Sequence, residues 1–94
     1  MKTTIFKTRK FNGGTYVFEL HTPDYVGEKG CLGVEITPYI TVTTPCNDFG
    51  YEDTFIYNHM RKNGHYSWRS HPNWITKKLI EICAKYADSL PYSI

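Results

Sequence analysis

One sustained helical period near the C-terminal end constrains this chain more than any other feature. At about 100° per residue, Ile75, Leu79, Ile82, Cys83, Tyr86 and Leu90 share a stripe, with Ile80 and Ala87 at its margin, while Lys77, Glu81, Lys85 and Asp88 take the other side. Pro72 suits a first helical turn, with Ser70 or His71 as the cap, and Pro91 stops the pattern. The spacing predicts a single amphipathic helix near residues 72–90. Such a helix must bury its stripe against another layer, and everything before it reads as short strands.

Residues 3–11 and 15–22 are rich in β-branched and aromatic side chains and flank Asn12-Gly13-Gly14, a hairpin pattern. A three-residue loop would set Phe6 against Leu20, Thr8 against Phe18 and Lys10 against Tyr16, leaving Lys7 across from Glu19 and Arg9 across from Val17. After the loop residues Pro23, Gly27 and Gly30, residues 31–44 alternate, with Leu32, Val34, Ile36, Ile40 and Val42 on one side. Pro38 lacks an amide donor and implies an edge strand or a bulge there. Thr44-Pro45-Cys46-Asn47-Asp48 with Gly50 reads as a turn cluster. Residues 51–70 suit either a short helix or a hairpin around Asn63-Gly64. The hairpin is preferred because β-branched and aromatic residues flank the turn on both sides. The expectation is an α+β fold: one domain over residues 1–94, with a small antiparallel sheet of about four to six short strands in hairpins packed against one C-terminal amphipathic helix.

Composition narrows the function classes. At 94 residues, 40% hydrophobic and 21% charged, the chain is an ordinary globular one, whereas an aromatic share of 16% is high. Large rings complete the core of a small domain, but they also populate binding surfaces. Lys2, Lys7, Arg9 and Lys10 break up the N-terminal residues, so no signal peptide is expected, and no window approaches a membrane-spanning length. The expected location is the cytoplasm. Cys31, Cys46 and Cys83 are odd in number and widely spaced, which argues for reduced thiols, with Cys83 as a small core residue.

Net charge is only +2, yet it is unevenly distributed. Residues 1–11 carry four cations and no acid, residues 12–60 carry seven acids against Lys29 alone, and residues 61–94 carry six cations against Glu81 and Asp88. If the two basic ends meet, the molecule has a basic face suited to anionic partners. The acid-free stretch from Thr54 to Ile80 interleaves cations with rings and contains His59, His65 and His71. Within it, Tyr57, Arg61, Lys62, Tyr66, Trp68, Arg69, Trp74, Lys77 and Lys78 form the candidate binding segment, residues 57–78. Trp74 falls on the polar side of the helix, so it is either covered by the residues just before it or exposed as a contact among lysines; exposure is preferred.

No catalytic, metal-binding or cofactor motif is present, and a pI near 8.4 falls short of strongly basic nucleic-acid binders. The expected function is a non-enzymatic binding protein for a polyanionic or nucleoprotein partner, such as a protein complex with an acidic surface. Small chains of this kind often act as accessory or inhibitory proteins of mobile elements. The second reading is an RNA or single-stranded DNA binding domain. The third is a small nuclease using His59, His65 and His71 for proton transfer.

Overall fold

In the computed structural model, which describes residues 1–45, 50–69 and 71–94, Lys2–Phe11 (β1) and Gly14–Thr22 (β2) pair as an antiparallel hairpin around Asn12-Gly13. Both loop residues have positive φ, 51° and 77°, as a two-residue type I′ turn requires, and the twist of that turn matches the strands it joins. The loop is therefore one residue shorter than expected, and the register shifts with it. Phe11 pairs with Gly14, Arg9 with Tyr16 and Lys7 with Phe18. A one-residue slip exchanges the two faces of a strand. Here it turns Phe11 inward, where it is buried with its ring edge-on to Tyr16 at 5.3 Å. A bulge between Ile5 and Lys7 then resets the alternation. Phe6 consequently still faces the helix, but Ile5, not Lys7, lies across from Glu19.

The third strand is shorter than the alternation suggested. Only Tyr39–Thr43 (β3) joins the sheet; before it, Lys29 and Glu35 form an isolated bridge. Local hydrogen bonds from Gly33 to Gly30 and from Ile36 to Glu28 fold residues 28–36 on themselves. Leu32 and Val34 are thereby left 88% and 68% exposed, and only Ile40 and Val42 of the expected row reach the core. Pro38 marks neither an edge nor a bulge. It sits immediately before a central strand, where its missing donor disturbs no ladder bond.

Thr54–Asn58 (β4) and Asn63–Tyr66 (β5) form the second hairpin. Its loop is residues 59–62, closed by Lys62 at φ 47°, so Asn63-Gly64 belongs to β5 and not to the turn. Gly64 is needed for closeness: a Cβ there would lie 2.5 Å from the Ile56 carbonyl oxygen and against the Phe55 ring. The five strands form one antiparallel sheet in the order β1-β2-β3-β4-β5.

The helix, Asn73–Ser89 (α1), covers one face of that sheet. Ile75, Leu79, Cys83 and Ala87, spaced four apart, meet Phe18, Leu20, Ile40, Val42, Phe55 and Tyr57 in the core. Ile82, Tyr86 and Leu90 are only partly buried at the margin. Burying each large apolar side chain contributes about 1.5–3 kcal/mol, so this sandwich is the main source of stability. Pro72 occupies the N-cap position with no side-chain cap bond; Ser70 lies outside the described residues, as does the Cys46–Asp48 part of the expected turn. The sheet's other face is mixed: Ile5, Tyr39 and Ile56 are exposed on it, while His21 bridges Thr3 at 3.1 Å and Thr41 at 2.7 Å, and Thr43 donates to Glu19 at 3.0 Å. The result is an α+β architecture with five short strands and one C-terminal helix.

Candidate functional site

The fold divides the basic aromatic segment 57–78 between two ends of the molecule. The β4–β5 loop lies beside the C-terminal end of α1, where His59 Nε2 is 3.1 Å from Asp88 Oδ1. The chain after β5 lies beside its N-terminal end, where the Tyr66 hydroxyl is 2.6 Å from Thr76 Oγ1. From residue 76 to residue 88 the helix rises about 18 Å. Arg61 and Lys62 therefore sit apart from Trp68, Arg69 and Trp74. Chain proximity had suggested one patch; the antiparallel return of the helix makes two.

Two of the expected contact rings are structural. Tyr57 is buried in the core, its hydroxyl 2.8 Å from His59 Nδ1, and burial pushes its phenol up to about 12. Tyr66 is half-buried, with its ring stacked on His71 at 4.2 Å and its phenol raised by desolvation. The tryptophans behave differently. Trp68 is 54% exposed, donating Nε1–H to the Glu52 carbonyl, and the Arg69 guanidinium carbon lies 5.6 Å from its ring. Trp74 is 48% exposed, and its ring meets Phe11 edge-on at 6.1 Å. The cover over its inner edge thus comes from β1. Lys77 and Lys78 are exposed, Lys78 lying 3.7 Å from Glu81.

Sequence reasoning missed the contribution of β1. With the register found, Lys7 and Arg9 turn toward the helix side at the sheet's edge. Trp74, Lys78 and Lys85 lie within about 40° of one another on α1, on the flank that carries Ile82. Between the two elements runs a groove of about 310 Å³, lined by Phe6, Lys7, Ile82, Lys85, Tyr86 and Ser89. Its floor is the Phe6–Tyr86 pair, stacked at 3.7 Å with planes 4° apart. Arg9 lies over Phe11, its guanidinium carbon 5.7 Å from the ring centroid. One cation from each basic end of the chain, Lys7 and Lys85, thus lines the same groove.

The histidines do not converge. His59 and His65 border a depression of about 350 Å³ with Tyr39 and Ile56, and His59 is already engaged by Tyr57 and Asp88. His71 is at the opposite end, its side chain 5% exposed and its Nε2 3.5 Å from Asp53 Oδ2. Asp53 is fully buried but well served: Oδ1 accepts from the amides of Thr54 and Ser67 at 2.8 and 3.1 Å, and Oδ2 from that of Arg69 at 3.3 Å. Desolvation, together with the Arg69 charge, holds the His71 imidazole below its usual range, although Asp53 pulls the other way. His71 is therefore neutral at neutral pH, and with Asp53 it ties the ends of β4 and β5 to the start of α1. Among the described residues no group of His, Cys, Asp and Glu side chains is arranged to hold a metal ion, and no helix is long and apolar enough to cross a membrane. No family model, curated protein or solved structure matches the chain.

Proposed function

We propose that this chain is a non-enzymatic binding protein that recognises a polyanionic or nucleoprotein partner, acting as an accessory or inhibitory factor by occupying that partner's surface. The observation that carries this reading is the cationic edge: Lys7 of β1 and Lys85 of α1 line one groove, with Arg9 farther along β1, Lys78 on the same flank of α1, and Trp74, 48% exposed, against Phe11. Trp68, Arg69 and Lys77 extend the surface around the helix N-terminus, while Arg61 and Lys62 form a separate, weaker contact. Cations at the rim steer an acidic partner, and a half-exposed tryptophan supplies the apolar anchor that such interfaces use.

The test is a titration of the full chain with a labelled single-stranded oligonucleotide and, in parallel, with a poly-glutamate peptide, as salt rises from about 50 to about 300 mM. Binding is expected at low salt and should weaken steeply with salt. Lys7→Gln, Arg9→Gln and Lys85→Gln together should cost about tenfold or more in affinity, and Arg61→Gln with Lys62→Gln less than about threefold. Preference for the peptide marks an acidic protein surface, and preference for the oligonucleotide marks a nucleic-acid binder. Absence of binding to either polyanion at low salt overturns the reading.

A further inference from the structure

The sheet does not close on itself, so it has two edge strands, β1 and β5, and an edge presents backbone groups that no neighbouring strand satisfies. The two edges differ. β1 carries Lys2, Lys7, Arg9 and Lys10 and a bulge between Ile5 and Lys7, features that discourage an added strand. β5 pairs without a bulge and contains no lysine or arginine. Its ladder also runs on past Tyr66, because the Ser67 N–H donates to the Thr54 carbonyl at 2.9 Å.

That bond sets the parity of the ladder. Ser67 with Thr54 is a hydrogen-bonded pair, so His65 with Ile56 and Asn63 with Asn58 are hydrogen-bonded pairs as well. The alternate residues, Gly64 and Tyr66, therefore direct their amides and carbonyls away from β4, along the outer side of the sheet.

The surroundings define what a strand added there would carry. On the helix side, the Tyr66 hydroxyl meets Thr76 and His59 meets Asp88, so the flank of α1 along this edge runs from Thr76 to Asp88. Ile80 and Ala84 lie between them at four-residue steps, both only partly buried, and form an uncharged apolar shelf. On the sheet face away from the helix, His65 stands opposite Ile56. The exposed Arg61 and Lys62 flank one end of β5. At the other end, His65, Tyr66, Ser67, Trp68 and Arg69 border an open depression of about 500 Å³. No acid occurs in the sequence between Thr54 and Ile80.

We propose that the outer edge of β5 binds an extended acidic peptide segment of a partner protein as a further strand. Backbone bonds to Gly64 and Tyr66 hold it, apolar side chains rest on Ile80 and Ala84, and carboxylates meet Arg61, Lys62 and Arg69. The same charges oppose a second copy of this chain. Antiparallel pairing of two β5 strands would bring Arg61 and Lys62 of one copy toward Arg69 of the other. The site is separate from the β1–α1 groove and stands whether or not that groove binds polyanions.

The probe is an end-capped peptide of about seven residues alternating glutamate and valine, titrated into nitrogen-15 labelled full-length protein. Two further versions carry N-methyl groups, one on every glutamate amide and the other on every valine amide. Alternate residues of a strand send their N–H groups to the same edge, so one version loses its donors to β5 and the other keeps them. The expected result is saturable shifts at the Gly64 and Tyr66 amides, with their hydrogen exchange slowed about tenfold or more at saturation. One N-methylated version should bind about tenfold or more weakly than the other. Arg61→Glu, at an exposed loop position, should weaken binding about threefold or more. Lys7→Gln with Lys85→Gln should leave it unchanged, so failure of this edge and failure of the β1–α1 groove are read separately. Equal binding by the two N-methylated versions, or shifts without slowed exchange at Gly64 and Tyr66, overturns the added strand. Displacement of the peptide from these amides by a single-stranded oligonucleotide overturns the assignment of a peptide partner.

Discussion

Gly64 shows how far one hydrogen atom can decide the fit of a sheet to its core. In sequence the Asn-Gly pair signals a turn, but the strand needs this glycine so that Phe55 can cross it. Gly64→Ala should destabilise the protein by about 1–3 kcal/mol, read by chemical denaturation, because the added methyl overpacks a filled site. His71 yields a second prediction, on pH. Its folded-state pKa is lowered, so the unfolded chain binds the extra proton first and stability falls as pH drops below the ordinary histidine value near 6.5. Melts in chloride buffer should show this acid-side loss, and His71→Gln should lack that part of it. A third concerns the thiols. Cys83 is fully buried, with its thiol pushed up to about 12 by desolvation, whereas Cys31 is exposed. Alkylation of the native protein with peptide mapping should find Cys31 modified and Cys83 protected until the chain is denatured.

At the scale of elements, α1 is held by its four-residue rhythm. Leu79 is completely buried, and Leu79→Ala should cost about 2–5 kcal/mol, while Lys77→Ala on the solvent side should stay within about 0.5 kcal/mol. Trp74 is intermediate. With roughly half its surface covered and its ring edge-on to Phe11, Trp74→Ala should cost about 1–2 kcal/mol of stability, less than a core tryptophan, and should weaken polyanion binding beyond that loss. Thermal melts run beside the binding titration separate the two effects. The strands were legible where the signal was alternation bounded by turn residues: the first hairpin lies where the pattern placed it, whereas the second turns at residues 59–62 and takes Asn63-Gly64 into β5. Their registers were not. Whether Asn12-Gly13-Gly14 makes a two- or three-residue loop depends on whether Phe11 or Lys10 is turned toward Tyr16, and that is settled by the core. Leu32 and Val34 fit a strand by pattern but find no neighbouring strand to pair with.

For the whole molecule, the consequential fact is where charge accumulates. Lysines and an arginine on a long edge strand also deter that strand from pairing with a second copy, so the same residues that attract an acidic partner oppose self-association. Sedimentation at low and high salt should find no growth in assembly at low salt, when repulsion between edges is strongest; growth there would show the edge pairing with itself.

What this chain determines locally, it announces locally. The amphipathic period of α1, the β-branched runs and the turn residues follow from backbone sterics and from apolar spacing within a few residues, so they establish an α+β fold without reference to anything distant. Composition likewise shows that cations and rings are abundant. Only the tertiary structure decided which of them act together. It buried Tyr57, stacked Tyr66 on His71, sent Arg61 and Lys62 to the far end of the helix, and brought Lys7 of the first strand to Lys85 of the last helix. The reason is that face and neighbourhood depend on strand register and on the direction in which the helix returns. Both are selected by close packing across the whole core, where a one-residue slip exchanges inside for outside.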